Sequence, residues 1–146
     1  MKIYDVISSI EFKNNSTVVF DIDGTLITNS GNGIKVTLDI YNYFLSKGIR
    51  PYIVTARVNE RNIINITQSQ LEKAGITGYS GIYFRPYYMN IREFKERSRE
   101  DITYKRNAKI EMTFGDKNWD YTGKYSGIGV KISKLKIWDI LIFHLV

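Results

Sequence analysis

Short apolar runs alternate with segments of helical periodicity along most of the chain, and this alternation limits the folds it can adopt. The predicted strands are residues 16–23, 50–57, 81–86, 111–116 and 127–132. One predicted helix ends near Gly48, and a second covers residues 59–74. Strands separated by helices are typical of a parallel sheet covered on both faces. The pattern therefore predicts an α/β fold with an open, doubly wound sheet and the first strand near its centre.

The most strongly charged part of the chain, residues 89–110, is predicted to be part loop and part short helix. Within it, residues 92–106 carry six basic and four acidic side chains. A run of mixed charge is typical of a solvated surface, so we expect this segment to face water.

Length and composition favour a single globular domain over residues 1–146. The chain has no cysteine, which excludes disulfides, thiolate zinc sites and cysteine nucleophiles. The formal net charge of +6 and the pI near 9.4 favour an anionic partner, with nucleic acid among the candidates.

Neither end of the sequence predicts a membrane segment. The first ten residues contain Asp5 and lack a long apolar region, so we expect no secretory signal and a cytoplasmic location. The last ten residues, IWDILIFHLV, are apolar but too short to cross a bilayer. We expect them to form a terminal core element or an oligomer contact, with His144 in a structural role.

Acidic and hydroxyl side chains stand where several of the predicted strands end. Asp21 and Asp23 close the first strand in the sequence FDIDGTL, and burying such carboxylates is costly unless they are paired or bind a metal. Thr55 ends the second strand, Asp116 ends the fourth, and Asp120 follows four residues later. Ligands bind outside the carboxyl ends of strands in open α/β sheets, so we expect these residues in one crevice.

These residue types indicate a metal ion and a phosphate. Several carboxylates at one point repel one another, and a hard divalent cation would relieve the repulsion; Mg²⁺ suits such oxygen ligands together with a substrate phosphate. In that arrangement Asp21 can be the nucleophile that forms an aspartyl-phosphate. Asp23 can then protonate the leaving oxygen and later activate water. The predicted Mg²⁺ ligands are Asp21, Asp23, Asp116 and Asp120.

Groups that would hold the phosphoryl oxygens come from three segments. Gly24 and Thr25 allow a tight turn whose backbone N–H groups would face the phosphate. Thr55 offers a hydroxyl group. A lysine ahead of the fourth strand, Lys105 or Lys109, would supply the positive charge that phosphoryl transfer needs.

The sequences DIDGTL, VTAR and GDKNWD, together with Lys105, resemble the four motifs of the haloacid dehalogenase (HAD) superfamily of phosphotransferases. The motifs occur in the family's order, and the resemblance covers residues 16–132. It implies a three-layer fold around a parallel sheet. It also implies that Thr55 and Lys105 bind phosphate, that Asp116 and the main-chain carbonyl of Asp23 bind Mg²⁺, and that Asp120 supports them.

The further substrate-binding candidates are Ala56, Arg57 and Lys109. Lys109 is the alternative to Lys105, because Lys105 lies only eleven residues before Asp116. Ala56 and Arg57 complete the VTAR sequence, and Arg57 either binds the substrate phosphate or caps a crossover connection.

The chain resembles members of the superfamily that have no large cap domain, since no long insertion follows the first motif or the third strand. Their open sites are associated with phosphoproteins, nucleic-acid ends or a broad range of substrates. The sequence GDKNWDY resembles bacterial-type class III acid phosphatases. VTAR and the strand containing Arg85 resemble the phosphatase domain of polynucleotide kinase-phosphatases.

We therefore expect a Mg²⁺-dependent phosphomonoester hydrolase that acts on small or varied phosphate esters. The alternatives are a nucleic-acid 3′-phosphatase and a catalytically silent binding module with the same fold. Tyr87 and Tyr88 are candidates for stacking on a base or a substrate ring, although ordinary packing is the favoured interpretation.

Overall fold

The computed structural model describes residues 2–135. Five parallel strands form one sheet in the order β3-β2-β1-β4-β5. The strands are β1 Ser16–Phe20, β2 Tyr52–Val58, β3 Gly81–Arg85, β4 Lys109–Gly115 and β5 Ile128–Lys131. This arrangement confirms the predicted α/β fold and the central position of the first strand.

The helices lie between and around the strands. They are α1 Ile3–Ser8, α2 Lys35–Ser46, α3 Arg61–Lys73, α4 Ile91–Tyr104 and α5 Asn118–Tyr121, and a short 3₁₀ helix covers Ile132–Lys134. Residues 21–34 join β1 to α2 and residues 86–90 join β3 to α4, so neither connection holds an inserted domain. No helix within residues 2–135 combines the length and the apolar character that a membrane span requires.

Strand β1 is covered on both faces, as its continuous apolar sequence predicts. On one face Phe20 stacks on Phe114 of β4 with ring centroids 4.6 Å apart, and Phe44 of α2 packs edge-on against both rings. On the other face Val19 packs in a second apolar cluster with Phe94 of α4. The end of β1 is thereby held between two packed layers.

The charged stretch over residues 89–110 contains more helix than its sequence predicts. Helix α4 runs unbroken for fourteen residues, and the side chain of its N-cap residue Asn90 accepts the N–H of Glu93 at 3.2 Å. The expectation that this whole segment faces water is wrong, because one side of the helix is buried. The buried residues recur at helical spacing and are Phe94, Lys95, Ser98, Arg99 and Ile102.

The apolar C-terminal segment over residues 137–146, including His144, lies outside the described residues. The terminal core element or oligomer contact expected there therefore stays a prediction.

Candidate active site

A buried lysine joins two carboxylates at the carboxyl edge of the sheet. Lys95 lies on α4, and its side chain is 2% exposed. Its ammonium nitrogen is 2.8 Å from Oδ1 of Asp21, 2.8 Å from Oδ1 of Asp120 and 2.7 Å from the carbonyl oxygen of Val54. The ammonium group donates hydrogen bonds to Asp21 and Val54 and forms an ion pair with Asp120. Helix α4 thereby connects the segment after β1 with β2 and α5.

Asp120 is fully engaged by the protein. Its Oδ2 accepts the main-chain N–H groups of Asp116 at 3.2 Å and Lys117 at 2.9 Å, while Oδ1 faces Lys95. These contacts fix the segment that follows β4. The geometry therefore makes Asp120 a supporting residue, and its predicted place among the direct metal ligands is corrected.

Two glycines allow the carboxylate-bearing segments to approach closely. A Cβ at Gly115 would lie 2.1 Å from the Cβ of Asp120, which is closer than two carbon atoms can pack. Gly24 has a φ of +71°, and a Cβ there would lie 3.0 Å from Oδ2 of Asp116. The turn after Asp23 and the side chain of Asp116 therefore lie in contact.

The turn itself uses the backbone N–H groups that were predicted to face a phosphate. The N–H of Gly24 donates to the carbonyl of Ile27 at 2.9 Å, and that of Thr25 donates to the carbonyl of Ile22 at 3.1 Å. Gly24 and Thr25 therefore shape the turn instead of presenting free donors. The hydroxyl of Thr25 donates to Oδ2 of Asp21 at 3.3 Å.

Asp21 sits in an environment that disfavours its charged form. It is 7% exposed, and burial raises the pKa of its carboxyl group to about 6, with Lys95 opposing the rise and Asp120 adding to it. Lys95 holds Oδ1 at 2.8 Å, whereas Oδ2 has the longer contact with Thr25. Oδ2 is therefore the less constrained oxygen and the candidate nucleophilic atom.

Asp23 is held by a bidentate contact with Arg57. The Nε and Nη2 atoms of the guanidinium donate to Oδ2 and Oδ1 of Asp23 at 3.0 and 2.8 Å. Its Nη1 donates to Thr67 at 2.9 Å and to Gln70 at 2.7 Å, both on α3. The sequence left Arg57 between two roles, and the structure commits its guanidinium to Asp23 and α3.

Thr55 and Ala56 lie at the end of β2, beside the carboxylates. Thr55 is fully buried, and its hydroxyl oxygen accepts the main-chain N–H two residues on at 3.1 Å. The carbonyl oxygen of Ala56 accepts a hydrogen bond from Nε of Arg85 at 2.9 Å. Arg85 also donates to the carbonyls of Met89 at 3.0 Å and Tyr87 at 3.4 Å. The end of β2 is thus tied to the loop that precedes α4.

The residues left for a cation are few. Within residues 2–135, no group of three or more acidic or histidine side chains is arranged to hold a metal ion. All four predicted ligands contact a cationic side chain, but Arg57 engages both oxygens of Asp23, and main-chain N–H groups and Lys95 engage both oxygens of Asp120. Oδ2 of Asp21 has a longer contact of 3.3 Å with Thr25, and Oδ2 of Asp116 lies 3.8 Å from Lys117, so Asp21 and Asp116 are the predicted ligands that remain. Two carboxylates fit Mg²⁺, which commonly binds one or two of them and completes its shell with water and substrate phosphate.

Neither lysine that was predicted to bind phosphate lies at this edge. Lys105 follows the end of α4, where its 82% exposed side chain pairs with Asp101 at 3.5 Å. Lys109 opens β4 and pairs with Glu111 at 3.6 Å. Strand β4 has seven residues, and at about 3.3 Å per residue Lys109 stands roughly 20 Å from the carboxyl edge. Lys95 occupies the position that the sequence analysis gave to Lys105 or Lys109.

A periodic signal for Lys95 is present in the sequence. Lys95 and Arg99 are four residues apart and share one helix face with Phe94, Ser98 and Ile102. Recognising a helix over this stretch would have placed both basic side chains on its apolar side. The high charge of the segment concealed this pattern.

The parallel sheet, and the aspartates that follow its central strand, define an α/β protein of the HAD-like class. A family model described as "HAD superfamily, subfamily IIIB (Acid phosphatase)" matches residues 29–137, about three quarters of the chain. The chain therefore belongs to this family. The match begins after Asp21 and Asp23, so the candidate roles of these two residues rest on the geometry described above.

Two similar solved structures show a class C acid phosphatase from Bacillus anthracis. The first is 21% identical with a TM-score of 0.66, and the alignment covers 84% of this chain and 59% of that one. The second, with tungstate bound, is 20% identical with a TM-score of 0.64 and coverage of 84% and 60%. The chain thus spans about 60% of the length of these structures, and the likeness shows a common fold. A search of curated protein sequences found no significant match.

Proposed function

We propose that this chain is a Mg²⁺-dependent phosphomonoester hydrolase that acts through an aspartyl-phosphate on small or varied phosphate esters. The observation that carries the proposal is the buried contact of Asp21 with Lys95 at 2.8 Å, at the edge where such sheets bind ligands. The family is one of acid phosphatases, and one similar structure holds tungstate, a tetrahedral oxyanion like phosphate. Both facts support phosphoryl chemistry.

Asp21 and Asp23 divide the chemistry between them. Asp23 must enter the first step protonated: Oδ2 of Asp21 attacks the phosphorus, the bond to the leaving oxygen breaks, and the carboxyl group of Asp23 gives that oxygen its proton. Water then attacks the phosphorus of the aspartyl-phosphate while Asp23 accepts its proton, which releases phosphate and restores Asp21. Arg57 holds Asp23 in one orientation, and Lys95 fixes the other oxygen of Asp21, so both carboxylates are preorganised.

Asp21 and Asp116 would hold the divalent cation, with the main-chain carbonyl of Asp23 as the further ligand that the family resemblance implies. The bound cation would neutralise charge on the phosphoryl oxygens. Lys95 adds a positive charge from the protein itself, and its burial strengthens that charge's interaction with a phosphoryl group.

Phosphate release from p-nitrophenyl phosphate tests this proposal. We expect no turnover by the metal-free protein, turnover when Mg²⁺ is added back, and its loss again with excess chelator. Beryllium fluoride with Mg²⁺ should inhibit, because it imitates a phosphoryl group on an aspartate. A folded protein that binds Mg²⁺ but hydrolyses neither this ester nor glycerol phosphate would contradict a role on small esters.

A nucleic-acid 3′-phosphatase is the second candidate, and an exposed tyrosine pair favours it. Tyr87 and Tyr88 are 80% and 75% exposed, and their rings meet edge-to-face at 5.6 Å. The expectation of ordinary packing for these side chains is therefore wrong. They lie on the loop before α4, which Arg85 ties to the end of β2. Exposed aromatic rings stack on unpaired bases, and the net charge of +6 favours a polyanion.

Substrate comparison separates the two candidates. For a 3′-phosphorylated oligonucleotide, Tyr87→Ala and Tyr88→Ala should each lower kcat/KM about tenfold, because stacking on one base contributes about 1–3 kcal/mol. Hydrolysis of glycerol phosphate should stay unchanged. Tyr104→Ala is the matched control, since this tyrosine is 68% exposed at the far end of α4. Equal losses on both substrates, or none on the oligonucleotide, would argue against the nucleic-acid function.

A catalytically silent binding module is the remaining alternative, and a folded protein without turnover on any of these substrates would support it. The cytoplasmic location and an oligomer contact through the C-terminal segment stay predictions.

A further inference from the structure

Helix α4 carries a second buried basic residue that the proposed chemistry does not use. Arg99 is 1% exposed and lies one turn after Lys95. Its guanidinium donates to four main-chain carbonyls: Nε to Lys124 at 2.9 Å, Nη2 to Thr122 at 2.8 Å, and Nη1 to Trp119 and Asp120 at 3.3 and 3.5 Å. The Arg99 side chain thus donates hydrogen bonds to four carbonyls within one six-residue segment, 119–124.

Glu96, three residues before Arg99 on α4, contacts the same segment. Its Oε2 accepts the main-chain N–H of Lys124 at 3.2 Å. A Cβ at Gly123 would lie 2.6 Å from that oxygen and 3.1 Å from Nη2 of Arg99, and Gly123 has a φ of +101°. The chain therefore passes so close to α4 that only glycine fits there.

The segment held by Arg99 and Glu96 is the one that positions the candidate metal ligand. It contains Asp120, whose carboxylate accepts the N–H groups of Asp116 and Lys117. A continuous series of hydrogen bonds therefore runs from Arg99, through the main chain at Asp120 and its carboxylate, to the backbone of Asp116. Mutation of a residue that orients a metal ligand through hydrogen bonds typically weakens metal binding by about 10- to 100-fold.

We propose that Arg99 is a positioning residue that sets the affinity of the site for its divalent cation by fixing residues 116–124 against α4. The inference rests on the proposed metal site and adds to it a residue that touches neither cation nor substrate. The planar guanidinium suits this task, because it presents five donors in a fixed fork, whereas a lysine ammonium presents three at a single point. Arg99→Lys therefore keeps the charge and loses the geometry.

Calorimetric titration of the metal-free protein with Mg²⁺ tests the proposal without relying on turnover. We expect Arg99→Lys to weaken Mg²⁺ binding about tenfold. The Mg²⁺ concentration that gives half-maximal turnover should rise by the same factor, while KM for p-nitrophenyl phosphate at saturating Mg²⁺ stays within about twofold of wild type. Circular dichroism and thermal unfolding establish that the variant is folded at the temperature of the titration.

Arg97→Lys is the matched control, because Arg97 lies on the same helix with a 66% exposed side chain paired to Glu93. If Arg99→Lys does not fold, Glu96→Ala replaces it, because this change removes the oxygen that accepts the main-chain N–H of Lys124. A loss of Mg²⁺ affinity of about fivefold or more is then expected, by analogy with orienting effects of about 10-fold. Unchanged Mg²⁺ affinity in the folded variant, with an active wild type, overturns the inference and leaves the proposed function standing. A wild type that neither binds Mg²⁺ nor turns over overturns both.

Discussion

Lys95→Met should lower the rate of phosphate release at least about 100-fold, because it removes the positive charge held against the nucleophile. The same change should lower the free energy of unfolding by about 3 kcal/mol or more, since the buried carboxylates of Asp21 and Asp120 would lose their cationic partner. Turnover of p-nitrophenyl phosphate and urea unfolding followed by circular dichroism measure the two effects. Activity is compared only under conditions where the variant is folded.

Lys105→Met and Lys109→Met are the controls. Both side chains are exposed, and they pair with Asp101 and Glu111 instead of with the carboxylates of the candidate site. Each should leave turnover unchanged and alter stability by no more than about 0.5 kcal/mol. Normal turnover in Lys95→Met together with a large loss in Lys105→Met would return the phosphate-binding role to Lys105. That result would also require a different path for α4.

Asp21→Asn should reduce turnover at least about 1,000-fold, because the amide oxygen cannot form the aspartyl-phosphate.

Asp21→Asn should also change how the free energy of unfolding depends on pH. The pKa of Asp21 is raised from 3.8 to about 6 in the folded protein, so Asp21 contributes most stability when protonated below about pH 4. That contribution is lost as the pH rises through about 6.

The unfolding free energies of wild type and Asp21→Asn, measured in chelator at several pH values, test this effect. Between about pH 4 and pH 7 the difference should shift by about 2 kcal/mol in favour of the variant. Asp5→Asn, a change at an exposed position of α1, should show no comparable shift. A constant difference across this range would mean that Asp21 is not destabilised by burial. Added Mg²⁺ should stabilise the wild type more than the variant, because it binds the ionised carboxylate.

The sheet and the carboxylates could be predicted because their signals are local. The apolar run of β1 and the aspartates that follow it are adjacent in sequence, and parallel topology then brings Asp116 to the same edge. The contact between Asp21 and Lys95 spans 74 residues and depends on how α4 lies against the sheet. The signal near Lys95 is its helical spacing with Phe94 and Ile102, and it can be read only once a helix is recognised over this stretch.

The roles of Arg57, Gly24 and Thr25 depended on hydrogen bonds that composition does not specify. Arg57 was expected to meet a phosphate or cap a crossover, but two carboxylate oxygens of Asp23 lie within 3.0 Å of its guanidinium. The N–H groups of Gly24 and Thr25 are taken by carbonyls of their own turn. Which partner each donor takes depends on the three-dimensional geometry of both main chain and side chains, which the sequence alone does not specify.

The three contacts of Lys95 also bear on the order in which the protein folds. Until α4 docks, the ammonium group stays in water and the aspartate after β1 has no cationic partner, so the electrostatic balance of the site cannot exist in an isolated N-terminal fragment. We expect a fragment that ends before Asp120 to leave Lys95 with one carboxylate in place of two. The reactive environment of Asp21 is thus assembled by distant parts of the chain, and it forms together with the tertiary structure.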